Sequence, residues 1–171
     1  MALRAKAAFH LALTAGGLAA VVMFTAPSAR AQSAAGPFEA LAGSWSGSGM
    51  MNTSDGSHER VRCIAKYASQ SGGQGLHLDL RCASDSYKVE FTTSINQIGG
   101  ELSGTWYEST RHIGGNISGR AKGDELDVRA EGDKFTALLN VKTQGSRQTF
   151  SLESPGAWLS QFTIALNRGP K

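Results

Sequence analysis

The chain has 171 residues, with 17 Lys and Arg against 14 Asp and Glu and a net charge of +3. Three of the basic residues, Arg4, Lys6 and Arg30, fall in an N-terminal stretch that reads as an export leader, so the remainder carries fourteen charges of each sign. That balance removes nucleic acid and anionic membrane surfaces as partners chosen by bulk charge, and the length left after the leader suits one domain with one core.

In chain order, residues 1–31 combine a positive n-region, an apolar run from Ala7 to Ala26 interrupted only by His10, Thr14 and Thr25, and the cleavage pattern Ala29-Arg30-Ala31. The expectation is cleavage before Gln32 and delivery to the periplasm or the exterior, with no membrane insertion of the mature chain. About 20 apolar residues could span a bilayer, but Gly16-Gly17 and Pro27 favour a removed signal over a retained anchor. Residues 32–36 read as a flexible lead-in and residues 37–171 as a single domain. "PFEALAG" predicts one short helical turn.

Beyond that turn the helix signals stop. Glycines recur every ten to fifteen residues, and apolar and polar residues alternate between them, the period of half-buried antiparallel strands. Ten strands are expected near 44–51, 58–68, 75–83, 86–97, 101–110, 115–122, 125–131, 134–142, 147–153 and 159–168.

Turn positions test the register. With Gly72-Gly73 as a two-residue turn, Cys63 faces Cys82, Ala65 faces Leu80 and Tyr67 faces Leu78 on one side, while Lys66 opposes Asp79 on the other. With Gly123-Asp124 as the turn, Ala121/Leu126, Gly119/Val128 and Ile117/Ala130 share the inner face, and Lys122/Glu125 and Arg120/Asp127 pair outside. A third hairpin turning at Gly99-Gly100 puts Ile95, Leu102, Gly104 and Trp106 on one side. Every link is short, so the chain is a meander. An all-β, up-and-down antiparallel barrel is the expected fold, because closure satisfies the edge strands; a β-sandwich is the alternative.

The two cysteines, Cys63 and Cys82, are directly opposed in this register, within the separation a disulfide accepts. In an exported protein an even pair is expected to be bonded.

"LAGSWSGSG" at 41–49 has a near-echo in "LSGTWYEST" at 102–110. The Gly-x-Trp of Gly43 and Trp45 on the first strand, repeated by Gly104 and Trp106, resembles the calycin group of lipocalins, fatty-acid-binding proteins and avidins. The resemblance implies a barrel with an Arg packed over the first tryptophan, a role for which Arg168 is the candidate. "ERVRCIAKY", "LRCASDSY" and "LSGTWYEST" are similar to a set of uncharacterised exported proteins of alphaproteobacteria in which the mature region recurs nearly end to end. That likeness implies a compartment and a fold and no activity.

Trp45, Tyr67, Tyr87, Phe91, Trp106 and Glu108 are the candidate ligand-binding residues, set against the plainer reading that both tryptophans are core. Inward glycines (Gly47, Gly49, Gly104, Gly119) either leave room in the lumen or let the sheet coil sharply. An inward Glu108 needs a partner, for which Arg111 and His112 are candidates; the simpler expectation is that the strand bends near its end and leaves Glu108 solvated. His58, His77 and His112 show no ligand spacing and predict no metal site. No nucleophile elbow, phosphate loop or dinucleotide fingerprint is present. The expectation is a non-enzymatic, cofactor-free periplasmic barrel binding a small, partly apolar ligand; the alternative is an envelope protein, an inhibitor or assembly factor, with a solid interior and a macromolecular partner.

Overall fold

The computed structural model describes residues 36–133 and 135–170; the expected export leader at 1–31 and all of the expected lead-in but Gly36 lie outside the described residues. A 3-10 turn at Glu39–Leu41 precedes ten strands: β1 (Gly43–Thr53), β2 (His58–Gln70), β3 (Gly75–Ala83), β4 (Lys88–Ile98), β5 (Glu101–Glu108), β6 (Ile113–Lys122), β7 (Glu125–Gly132), β8 (Phe135–Gln144), β9 (Arg147–Glu153) and β10 (Leu159–Arg168). Each strand pairs antiparallel with its sequence neighbours, and β10 pairs with β1, from Trp45 opposite Arg168 to Met51 opposite Phe162 and, past a bulge at Asn52/Thr53, to Leu159. The sheet is a closed barrel with no free edge.

The expected registers hold. Cys63 opposes Cys82 and Lys66 opposes Asp79, Ile117 opposes Ala130 and Arg120 opposes Asp127, and Ile95 opposes Gly104. Arg120 nevertheless makes its ion pair across its other neighbour, with Glu101 at 2.9 Å. Gly99 and Gly100 form a two-residue turn with φ of 61° and 91°, the left-handed pair that matches strand twist. The β2–β3 turn differs from expectation: its last strand pair is Gln70 with Gly75, so the loop is Ser71–Gln74 rather than Gly72-Gly73 alone. The longer loop receives the start of the described chain, since Gly36 N–H donates to the Gly72 carbonyl at 2.9 Å and Phe38 N–H to that of Gly73 at 3.2 Å.

One end of the barrel is sealed. Trp45 is fully buried, its indole N–H donates to the Leu41 carbonyl at 2.8 Å, and Arg168 covers its ring. Above this plug Tyr67, Leu76, Ile95, Ile117, Val128 and Val141 fill the lumen around a residual void of about 40 Å³. The inward glycines do not open the lumen. A Cβ on Gly47 or Gly49 would lie 1.9 or 1.8 Å from a carbonyl oxygen of β10, and Gly104 and Gly119 are equally close to their neighbours at 2.1 Å. They let adjacent strands approach and coil.

Candidate ligand cavity at the open end

The other end holds a cavity of about 600 Å³, within the usual size range of small-molecule sites. Its walls are largely aromatic: Phe91, Trp106, Phe135, Phe150, Trp158 and Phe162. Four polar side chains, Glu108, Arg111, His112 and Asp133, sit at the mouth.

Trp106 divides the packed half from the open half. It is 4% exposed, it stacks on Phe91 with ring centroids 5.5 Å apart and 15° between planes, and it tilts against Phe135 at 5.4 Å. Its indole N–H donates to the Glu131 carbonyl at 3.2 Å. Gly132 makes room for the ring, because a Cβ there would come within 3.2 Å of the indole Cζ2. Trp106 is thus both a buried residue and one that borders the cavity.

Strand β5 ends where Glu108 turns the chain. The carboxylate accepts N–H bonds from Glu90 at 3.1 Å, Thr110 at 3.0 Å and Arg111 at 2.9 Å, and the Thr110 hydroxyl at 2.5 Å. Strand hydrogen bonding gives way to side-chain capture after Glu108, so the strand stops there instead of running to 110. The bend is as expected, but Glu108 is 5% exposed rather than solvated. Burial pushes its carboxyl upward, yet the bonds from Thr110, Glu90 and Arg111 outweigh burial and hold it below the ordinary carboxylate range. Glu108 is an architectural anion.

Arg111 follows directly from that bend. Its guanidinium carbon lies over Trp158, 3.7 Å from the ring centroid, and Nη1 reaches Glu108 Oε2 only at 3.4 Å. The two loops it links, 109–112 and 154–158, flank the mouth. Next to it, His112 takes φ of 55° and its Nδ1 lies 3.1 Å from the Tyr107 hydroxyl.

The candidate residues thus separate by height. Phe91, Trp106 and Glu108 border the cavity. Trp45 belongs to the seal at the opposite end, and Tyr67 lies in the packed half, where its hydroxyl donates to Gln148 Oε1 at 2.6 Å and burial raises its phenol well above the ordinary value. Tyr87 does not border the cavity. It falls short of β4, in a turn closed by Ser84 N–H to the Tyr87 carbonyl (2.9 Å) and Tyr87 N–H to Ser84 Oγ (2.9 Å), and its ring rests edge-on against Trp158 at 5.1 Å. Trp158, Phe135, Phe150 and Phe162 were not among the candidates. Phe150 and Phe162 are legible as inward positions of alternating strands, whereas Trp158 sits in a Ser-Pro-Gly loop where alternation says nothing.

No protein-family model matches the chain, and no curated protein does. Solved structures do. The crystal structure of Rv2717c from M. tuberculosis superposes with a TM-score of 0.63 at 14% identity, covering 77% of this chain and 94% of that one. The S-type phycobiliprotein lyase CPES from Guillardia theta superposes with a TM-score of 0.56 at 10% identity, covering 78% of this chain and 91% of that one. At these identities the likeness is one of fold, and the fold is a calycin-like antiparallel β-barrel.

Proposed function

We infer that the protein is a non-enzymatic binder of a small, partly apolar molecule, which it holds in the aromatic cavity at the open end of the barrel. The observation that carries this reading is the asymmetry of the lumen: one end is sealed and packed, and the other keeps about 600 Å³ walled by six aromatic side chains. Side chains could have filled that space, as they do below Trp106. The alternative of an interaction protein with a solid interior has no such support, because the interior is solid only in its lower half.

The compartment belongs to the same reading: an exported protein of the alphaproteobacterial set, cleaved before Gln32 and resident in the periplasm or outside the cell. Its support is the bond between Cys63 and Cys82, buried in the lumen and of a kind that persists in oxidising compartments. Intact mass of the exported protein should start at Gln32, and retention of residues 1–31 would overturn the export reading.

Binding itself is tested with the uncharged fluorophore N-phenyl-1-naphthylamine. Trp106 and Trp158 border the cavity, so a saturable one-to-one titration should quench tryptophan emission by energy transfer to the probe. Native mass spectrometry of protein from its own periplasm should show a co-purifying small molecule. Absence of saturable probe binding would sink the proposal.

A further inference from the structure

We propose that the occupant of this cavity is an anion, and specifically that the free side-on fork of Arg111, formed by Nε and Nη2, grips a carboxylate on an otherwise apolar, flat body. The inference rests on the cavity being a binding site and adds the chemical class of what it takes.

Three observations lead to it. The first concerns which atoms of Arg111 are engaged. The hydrogen bonds of its guanidinium among the described residues both come from Nη1, to Thr110 Oγ1 at 3.0 Å and to Glu108 Oε2 at 3.4 Å. Nε and Nη2 have no partner there, and together they are the edge that matches the two oxygens of a carboxylate in a bidentate pair.

The second is that Glu108 does not need Arg111. Both of its oxygens already accept backbone N–H groups, and the Thr110 hydroxyl adds a bond of 2.5 Å. A carboxylate satisfied in this way pairs with Arg111 only through Nη1, at 3.4 Å, and leaves the Nε/Nη2 edge to a ligand. Asp133 lines the same mouth, but the ion pair of Arg111 among the described residues is with Glu108 alone.

The third is preorganisation. A guanidinium 3.7 Å above the Trp158 ring is held in place and partly desolvated, and its side chain is only 32% exposed. Ordering a long side chain in advance removes a cost that binding would otherwise carry. The apolar body is set by the walls below, where Phe91 and Trp106, stacked on each other, border the cavity.

The test uses a matched pair that differs in charge and little else: 1-pyrenebutyrate and 1-pyrenebutyramide. Wild-type protein should bind the carboxylate more tightly than the amide. Arg111→Gln should weaken the carboxylate roughly tenfold or more, the loss expected of a charge-assisted bidentate contact, and leave the amide essentially unchanged. Arg111→Lys keeps the charge but not the fork, and should recover only part of the difference. If both probes bind equally to the wild type, or if Arg111→Gln affects them equally, the anion assignment is overturned while the cavity remains a binding site. If neither probe binds and N-phenyl-1-naphthylamine also fails, the binding reading falls and the anion assignment with it.

Discussion

The guanidinium carbon of Arg168 lies 4.3 Å above the centroid of the Trp45 indole, across the seam where the last strand meets the first. The same guanidinium donates from Nη1 to the Ala42 carbonyl at 2.6 Å and from Nη2 to the Ala40 carbonyl. One side chain therefore ties the barrel seam, the 3-10 turn and the tryptophan plug together. Arg168→Ala should cost about 2–4 kcal/mol, from lost charge-assisted bonds and the cation–π contact, and Arg168→Lys should recover less than half of it, because a point charge cannot cap two carbonyls and cover a ring at once. Chemical denaturation measures both. Probe binding at the far end should survive in either variant, since the plug and the cavity are separated by the packed half of the lumen.

The Cys63–Cys82 bond joins the middle of β2 to the end of β3, with Cα atoms 4.1 Å apart and a sequence separation of 19. Both cysteines are at most 3% exposed. In the chain-entropy picture a loop of that length stabilises the fold by about 3 kcal/mol. Cys63→Ser should lower the melting temperature by several degrees or more, and alkylation of unreduced native protein should find no free thiol. Two reactive thiols in the native protein would contradict the bond.

What could be read from the chain and what could not follows from the range of the signals. Alternation assigns each residue to a side of the sheet, and glycine turns assign partners across a hairpin; Cys63/Cys82 and Ile117/Ala130 were reachable by those two local signals alone. Alternation carries no height. Trp45, Tyr67 and Trp106 all point inward, yet one plugs the base, one sits in the packed half and one borders the cavity. That order depends on which end the Glu39–Leu41 turn and Arg168 cover, a contact between opposite ends of the sequence. The mouth was still less legible: Arg111 and Trp158 are loop residues 47 positions apart, brought together only by closure of the barrel. Glu108 was expected in water because an inward carboxylate is costly. The backbone N–H groups that offset the cost become available only when the strand bends.

Glu108 makes a pH dependence predictable in sign. Its folded-state carboxyl is held below the ordinary range despite burial, so the stability it contributes is present above the unfolded value, near 4.5, and is lost as the pH falls through the folded value. Glu108→Gln keeps an acceptor but removes the charge, and should cost about 1–3 kcal/mol at neutral pH. The difference between wild type and variant should shrink as the pH falls below the unfolded value of 4.5 and approach a floor in stronger acid. Comparing the two proteins cancels the distant carboxylates Asp55 and Glu59, which are also held low. A difference that stays constant from pH 7 to 3 would mean that the charge of Glu108 is not what organises the loop.

Thr93 offers the opposite case, a polar group without an apparent use. Its hydroxyl has no hydrogen-bond partner among the described residues, although the residue is only 4% exposed. It lies on β4 between Leu78 and Trp106 and faces the void of about 40 Å³, whose other walls include Phe91, Ile95, Ile117 and Phe150. A buried hydroxyl with no partner costs about 1–3 kcal/mol relative to one that has one, and valine has nearly the same shape with a methyl in place of the oxygen. Thr93→Val should therefore raise stability by about 1 kcal/mol and the melting temperature by a few degrees, with the probe affinity of the cavity above it unchanged. A clear fall in stability would show that the hydroxyl has a partner the surrounding apolar walls do not supply, and a simultaneous change in probe affinity would show that the void and the cavity act as one space.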